Sequence, residues 1–150
     1  MHAAEVASTT AAIGSGLVAG LCFAFESFLM RSFDHLGPSQ AIRTMQVINA
    51  TILRSTTMWV WMVTPLVGVC ATVLAEERGL TVAALVSYVT GALLITRSRN
   101  IPLNEELDRV DPAAPDAEAA WRRYRGRWGR WNALRVVACG LATGGFALAA

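Results

Sequence analysis

Four apolar runs, long enough or nearly long enough to cross a lipid bilayer, divide the chain. A hydrocarbon core about 30 Å thick requires roughly 20 apolar residues in a helix. Only Glu26 in the first run and Arg135 in the fourth introduce a charge. The pattern therefore predicts one all-α domain over residues 1–150, an integral membrane four-helix bundle, with spans at about 7–30, 56–75, 80–96 and 131–150.

The composition supports a membrane protein. Hydrophobic residues make up 54% of the 150 residues and charged residues 16%, and the mean hydropathy is +0.42. Soluble domains contain about 25% charged residues. The net charge of +2 is too small and too unevenly placed for a nucleic-acid binder. Cys22, Cys70 and Cys139 stand singly in apolar runs, so they predict neither a disulfide framework nor a metal site.

The arginines lie almost entirely on one side of this topology. All thirteen basic residues are arginine, and twelve of them follow the first or third run, whereas Arg78 is alone on the opposite side. Cytoplasmic loops of membrane proteins carry the excess of basic residues. We therefore expect a protein of the cytoplasmic membrane with both long connections in the cytoplasm and both termini outside.

The first connection contains a helix start and two amides. Gly37-Pro38 is typical of a helix N-terminus, and no breaker follows before Pro65, so the second helix is expected to begin well outside the membrane. Gln46 and Asn49 share one stripe of this extension with apolar residues. They could bridge neighbouring helices by hydrogen bonds or belong to a binding site.

Proline, asparagine and glycine positions predict where helices end or approach one another. Pro102 is expected to end the third helix, because proline disfavours helix at the preceding residue and lacks an amide hydrogen. Asn104, followed by two acidic residues, then predicts the N-cap of a short new helix, which leaves Asn100 unexplained. Gly16 and Gly20 predict close packing of the first helix.

One stripe of aromatic and polar residues runs into the fourth span. Each residue turns an α-helix by about 100°, and at that rate the six residues of this stripe, which are given below, fall within one face about 100° wide. An unbroken helix from about 117 to 149 would be roughly 50 Å long and would project into the cytoplasm. An ionisable residue inside a membrane marks a site or a buried partner, so Arg135 and Glu26 predict either an ion pair or a polar pocket. The stripe consists of Trp121, Tyr124, Trp128, Trp131, Asn132 and Arg135.

Four segments together carry a family resemblance: FAFESFLM at 23–30, MQVIN at 45–49, NIPLN at 100–104, and the stripe of the fourth helix. Taken together, these segments extend over nearly the whole chain, and they resemble the anthrone oxygenase-like family of small four-span membrane proteins. The chain departs from many members at Arg31, where they have proline, and at Ala133, where they have histidine.

The resemblance implies oxidation of a polycyclic anthrone to an anthraquinone by O₂ without a cofactor. The partners would be a small planar hydrophobic substrate, O₂ and membrane lipid, with a homo-oligomer left open. Arg135, Asn132 and Asn49 would stabilise the oxyanion, and Glu26 would act as the base. The residues expected to bind substrate are Trp121, Tyr124, Trp128, Trp131, Asn100, Asn104 and Gln46.

Two other classes of protein compete with this one. A haem or metal enzyme is disfavoured, because His2 lies in a terminal tail and His35 stands alone. The competing class is non-enzymatic: a binder of a quinone or lipid-like ligand, or an accessory subunit in which Arg135 merely pairs with Glu26. An enzyme would require these residues to line a cavity, whereas an accessory subunit would have them mutually satisfied.

Overall fold

The computed structural model describes residues 3–150, which form five helices and no strand. Two of the helices contain π-helical segments, at Phe25–Leu29 in the first and Val89–Asn100 in the fourth. The helices are α1 (Ala3–His35), α2 (Pro38–Ile52), α3 (Thr56–Leu74), α4 (Gly79–Asp108) and α5 (Ala117–Leu148).

Four of these helices form a closed bundle. Helix α1 packs between α3 and α5, and α4 closes the ring by packing against both of them. The shorter α2 lies across one end, where it contacts α5 and the last turns of α1 and α4. The predicted all-helical membrane bundle is thereby confirmed, with α2 as a fifth helix outside it.

The exposed faces of the bundle are apolar, as lipid requires. Leu66 on α3 and Leu141 on α5 are each 65% exposed, whereas the polar Asn132 and Arg135 are buried. Helices α1, α3 and α4 are long and apolar enough to cross a membrane. Helix α5 is not among them, because its first part carries five of its six arginines and Asn132 and Arg135 lower the hydropathy of the rest. Its apolar second half nevertheless packs along α1 and α4.

The predicted continuity between α2 and α3 is wrong. Helix α2 begins at Pro38, after Gly37 with a φ of 80°, as the sequence predicts. It ends at Ile52, and the extended Ser55 (φ −91°, ψ 160°) precedes a separate helix. The Ser55 hydroxyl donates to the Ile52 carbonyl at 2.8 Å, a local bond that competes with continued helix.

The predicted break at Pro102 is also wrong. Helix α4 continues through Pro102 to Asp108, so Asn104 lies inside a helix and caps none. The π-helical segment ends immediately before this turn, and its shifted hydrogen bonds reduce the demand for the missing proline donor. The 32-residue α5, in contrast, runs unbroken, and at 1.5 Å per residue it is about 48 Å long.

Close helix packing occurs at glycines other than the predicted pair. A Cβ on Gly91 would lie 2.6 Å from the Ala138 Cβ, so α4 and α5 are closest there. A Cβ on Gly14 would overlap Thr64 of α3. Gly20 faces open space, and Gly16 has only ordinary contact distances. The expectation is therefore wrong for Gly20, whereas Gly16 packs against Thr143 of α5 at an ordinary contact distance. The buried face of α1 runs through Ser15, Val18 and Cys22.

Candidate functional site

Three buried aromatic rings form a column along α5. Ring centroids are 5.7 Å apart between Trp121 and Tyr124 and 6.3 Å apart between Tyr124 and Trp128, and Phe25 of α1 packs 5.4 Å from Trp128. All four side chains belong to one apolar core. Trp131 packs against the edge of this core, half-buried, with the Arg99 guanidinium carbon 4.7 Å from its ring centroid.

Arg135 is 94% buried among sulfur and aromatic groups, since only 6% of it is exposed. Its Nη2 donates to the Cys22 sulfur at 3.2 Å. The guanidinium carbon lies 5.2 Å from the Trp61 ring centroid and 5.7 Å from that of Trp128, within cation–π distance. Within residues 3–150 no carboxylate lies within 4.0 Å of it. Of the two alternatives for Arg135 and Glu26, an ion pair or a polar pocket, the ion pair is therefore wrong.

Asn132 joins α5 to α1. Its fully buried amide nitrogen donates to the Cys22 carbonyl at 2.9 Å and to Glu26 Oε2 at 3.3 Å. Glu26 lies in the π-helical segment of α1, a type of distortion that is frequent at functional sites. Cys22 therefore receives one bond on its carbonyl from Asn132 and one on its sulfur from Arg135.

The two asparagines of α4 both contact the aromatic column. The buried Asn100 donates to the Trp128 carbonyl at 3.4 Å, and Tyr124 donates its hydroxyl to Asn104 Oδ1 at 2.9 Å. Burial raises the pKa of the Tyr124 hydroxyl well above 10, and the Asp108 carboxylate raises it further. Tyr124 thus remains a neutral donor that orients the Asn104 amide.

Gln46 and Asn49 are not brought to Arg135. Gln46 donates to the carbonyls of Leu107 and Val110 at 2.9 and 3.0 Å, which caps the end of α4. Asn49 donates to Asp108 Oδ1 at 3.5 Å. The structure therefore supports the interpretation that these two amides bridge neighbouring segments by hydrogen bonds.

Four buried polar atoms around Arg135 have no hydrogen-bond partner among the described residues. Two are donors, Arg135 Nε and Trp128 Nε1, and two are acceptors, Asn132 Oδ1 and Asn100 Oδ1. Buried polar groups in folded proteins are nearly always paired, so a group of unpaired ones indicates a place for a ligand or ordered water. Both donors and acceptors are present, which suits a ligand with carbonyl and hydroxyl groups.

Cys22 and Trp61 contact Arg135, and Tyr88 bonds to Trp61, although sequence reasoning assigned none of the three to this site. Trp61 is fixed by its indole nitrogen, which donates to the Ala92 carbonyl at 2.8 Å, and its own carbonyl accepts from Tyr88 at 2.9 Å. Cys22 lies four residues before Glu26, one helical turn away on the same face. That spacing was the available signal for Cys22, whereas no local pattern marks Trp61 or Tyr88.

Two surface clefts lie near the site. The larger, about 440 Å³, is lined by Arg99, Arg127, Arg130, Trp131 and Leu134. The smaller, about 140 Å³, lies between α4 and α5 and reaches the aromatic column at Tyr124. Neither is lined by Arg135 or Asn132.

No metal-binding cluster is present in the described part of the chain, residues 3–150, by the criterion of three grouped His, Cys, Asp or Glu side chains. His35 is exposed, and its Nδ1 lies 2.8 Å from the Arg31 carbonyl. His2 lies outside the described residues.

The bundle and its buried Arg–Asn–aromatic site define a helical membrane protein with an internal polar site. The sequence matches the anthrone oxygenase family over residues 2–145, nearly the whole chain. The chain therefore belongs to the anthrone oxygenase family, and this membership indicates an oxygenase-like function. Comparison with curated proteins and with solved structures finds no significant match.

Proposed function

We propose that this protein oxidises a planar phenolic, anthrone-like substrate to a quinone with O₂ and without a cofactor. The observation that carries the proposal is the group of four unpaired polar atoms, on Asn100, Trp128, Asn132 and Arg135, beside buried aromatic rings. An anthrone presents a flat apolar surface with a carbonyl and hydroxyl groups at its edge. These features match aromatic rings flanked by unpaired donors and acceptors.

The proposed reaction consumes one O₂ per substrate. A base removes a proton from the ring methylene, and the resulting carbanion is delocalised onto the carbonyl oxygen. This electron-rich anion reduces O₂ and forms a carbon–oxygen bond to it, which gives a hydroperoxide after protonation. Loss of water breaks the O–O bond, removes the remaining methylene hydrogen and leaves the second carbonyl. Anthrone plus O₂ thus gives anthraquinone plus H₂O.

The residues of the site suit separate roles in this sequence. The Arg135 guanidinium and the Trp128 indole nitrogen would donate to the developing oxyanion, which is stabilised most strongly by preorganised donors in a low-dielectric site. Glu26 would accept the methylene proton, with its Oε2 oriented by Asn132 at 3.3 Å. Asn49 has no part in this proposal, because its amide bonds to Asp108.

The test is quinone formation by the purified full chain in lipid nanodiscs under air, followed by absorbance together with O₂ uptake. We expect one O₂ consumed per quinone formed, and a rate about 100-fold or more lower for Arg135→Leu and Asn132→Ala. Arg123→Leu is the matched control, since Arg123 is exposed on the same helix. Wild-type rates equal to those of empty nanodiscs over several anthrones would refute the proposal.

A non-enzymatic quinone binder is the second candidate. It is favoured by the position of Glu26, the proposed base, which is exposed, whereas the unpaired donors and acceptors that would hold a quinone are buried. A binder without turnover would show a quinone-dependent rise in melting temperature that Arg135→Leu abolishes, together with no acceleration of anthrone oxidation.

A further inference from the structure

We propose that the larger cleft, between α4 and α5, is a binding site for the phosphate headgroup of an anionic phospholipid. The cleft is separate from the Arg135 site, and the oxygenase proposal makes no use of it. Its volume of about 440 Å³ falls within the range of about 300–1,000 Å³ that is typical of small-ligand sites.

The lining residues change from charged to apolar along α5, as a phospholipid does from its headgroup to its acyl chains. Arg127, Arg130, Trp131 and Leu134 occupy positions i, i+3, i+4 and i+7 of α5 and therefore share one face. The seven helical steps from Arg127 to Leu134 rise about 10 Å along the helix. Arginine thus comes first, then a half-buried tryptophan, then a leucine that is 50% exposed toward the hydrocarbon. Tryptophan is typical of the headgroup level in membrane proteins.

The cleft is positively charged, and none of the residues that line it compensates this charge. Its three charged residues are Arg99, Arg127 and Arg130, and no acidic residue lines it. Arg127 pairs at 3.2 Å with Glu106, but both side chains are more than half exposed, and such pairs are weak. Neither Arg99 nor Arg130 forms an ion pair within residues 3–150.

The Arg99 side chain is already oriented for this role. Its guanidinium carbon lies 4.7 Å from the Trp131 ring centroid, which holds the group over the cleft from α4 while α5 supplies the other two. A guanidinium stacked on an aromatic ring keeps its in-plane N–H donors free for phosphate oxygens. Arginines from two helices would thereby surround one phosphate group, an arrangement that a planar, multidentate donor favours.

The experiment measures the melting temperature of the full chain in neutral detergent during titration with phosphatidylglycerol, phosphatidylcholine, inorganic phosphate or glycerol phosphate. We expect phosphatidylglycerol to stabilise the wild type most. Arg99→Gln and Arg130→Gln should each weaken its apparent affinity about tenfold. The matched control is Arg97→Gln, because Arg97 is exposed two residues from Arg99 on α4 but does not line the cleft.

Three outcomes would overturn the proposal. One is equal stabilisation by phosphatidylglycerol and phosphatidylcholine, and another is an equal effect of Arg97→Gln and the two cleft variants. The third is full stabilisation by inorganic phosphate or glycerol phosphate, which would identify a site for a soluble anion instead of a lipid. If a cleft variant fails to fold, loss of phosphatidylglycerol selectivity in Arg127→Gln is measured in its place, and unchanged selectivity there refutes the lipid site.

Discussion

The Arg135 guanidinium donates to the sulfur of Cys22, at 3.2 Å, inside a membrane bundle. A thiol sulfur is a weak acceptor, and the Trp61 and Trp128 rings offer only their π-faces to the cation. Arg135 is therefore held with less compensation than a buried guanidinium ordinarily receives from a carboxylate. Such a residue is costly for stability, which is consistent with its retention for function.

This relationship predicts opposite effects of Arg135→Met on stability and on activity. A methionine, which is shorter but of comparable volume, would fill most of the space and remove the cost of the buried charge, so the melting temperature should stay the same or rise. Quinone formation should fall about 100-fold or more. Thermal unfolding and turnover of the same preparation test both effects, with Arg123→Met as the exposed control. A marked loss of stability would instead indicate a structural role for the cation.

Gln46→Met should destabilise the protein by about 1–3 kcal/mol, because it leaves the carbonyls of Leu107 and Val110 without their side-chain donor. Turnover per folded molecule should stay near the wild-type value. Gln40→Met is the matched control, since Gln40 is exposed on the same helix. If Gln46→Met instead lowered turnover at unchanged stability, Gln46 would be a substrate-binding residue, as the sequence predicts.

Tyr124→Phe should change how stability depends on pH. The pKa of Tyr124 is raised in the folded state, so the folded protein retains this proton at pH values where an unfolded tyrosine, with a pKa of 10.0, loses it. The stabilising contribution is thus complete below pH 10 and is lost as the pH rises further. The unfolding midpoint of the wild type should fall more steeply above pH 10 than that of Tyr124→Phe. Parallel curves would contradict the burial of an ionisable hydroxyl at this position.

Reporter fusions test the orientation that the arginines predict. A fusion at Ala150 and an insertion in the linker at 111–116 should report opposite sides of the membrane, with the linker in the cytoplasm. The same localisation for both would refute a four-span topology, and a reversed pair would refute the orientation alone.

Local periodicity predicted which side chains of a helix face the interior better than it predicted which residues they contact. The stripe on α5 correctly indicated that Trp121, Tyr124, Trp128, Asn132 and Arg135 face the interior, because helical spacing is a property of one segment. Their roles in binding and catalysis stay predictions. The same reasoning could not show that Arg135 would contact Cys22 instead of Glu26, since that choice depends on how two distant helices align.

The predicted helix boundaries were wrong where a side chain or a π-helical turn outweighed the usual effect of proline and glycine on helix ends. The Ser55 hydroxyl donates to the Ile52 carbonyl where α2 ends, although the sequence there contains no proline or glycine. Pro102, conversely, is accommodated within α4 directly after a π-helical segment. Residue type alone does not reveal a π-helical turn, so its effect on the position of Asn100 could not be predicted.

The π-helical segment Phe25–Leu29 makes the site depend on chain length as well as on residue identity. A π turn contains about one residue more than an α turn. Deletion of a single residue there would restore regular α-helix and rotate the preceding part of α1 by about 100°. Cys22 would then swing away from Arg135 and Asn132, although hydropathy would scarcely change. Within this family, a one-residue gap in this segment would signal a different register between α1 and α5, and with it a different chemistry.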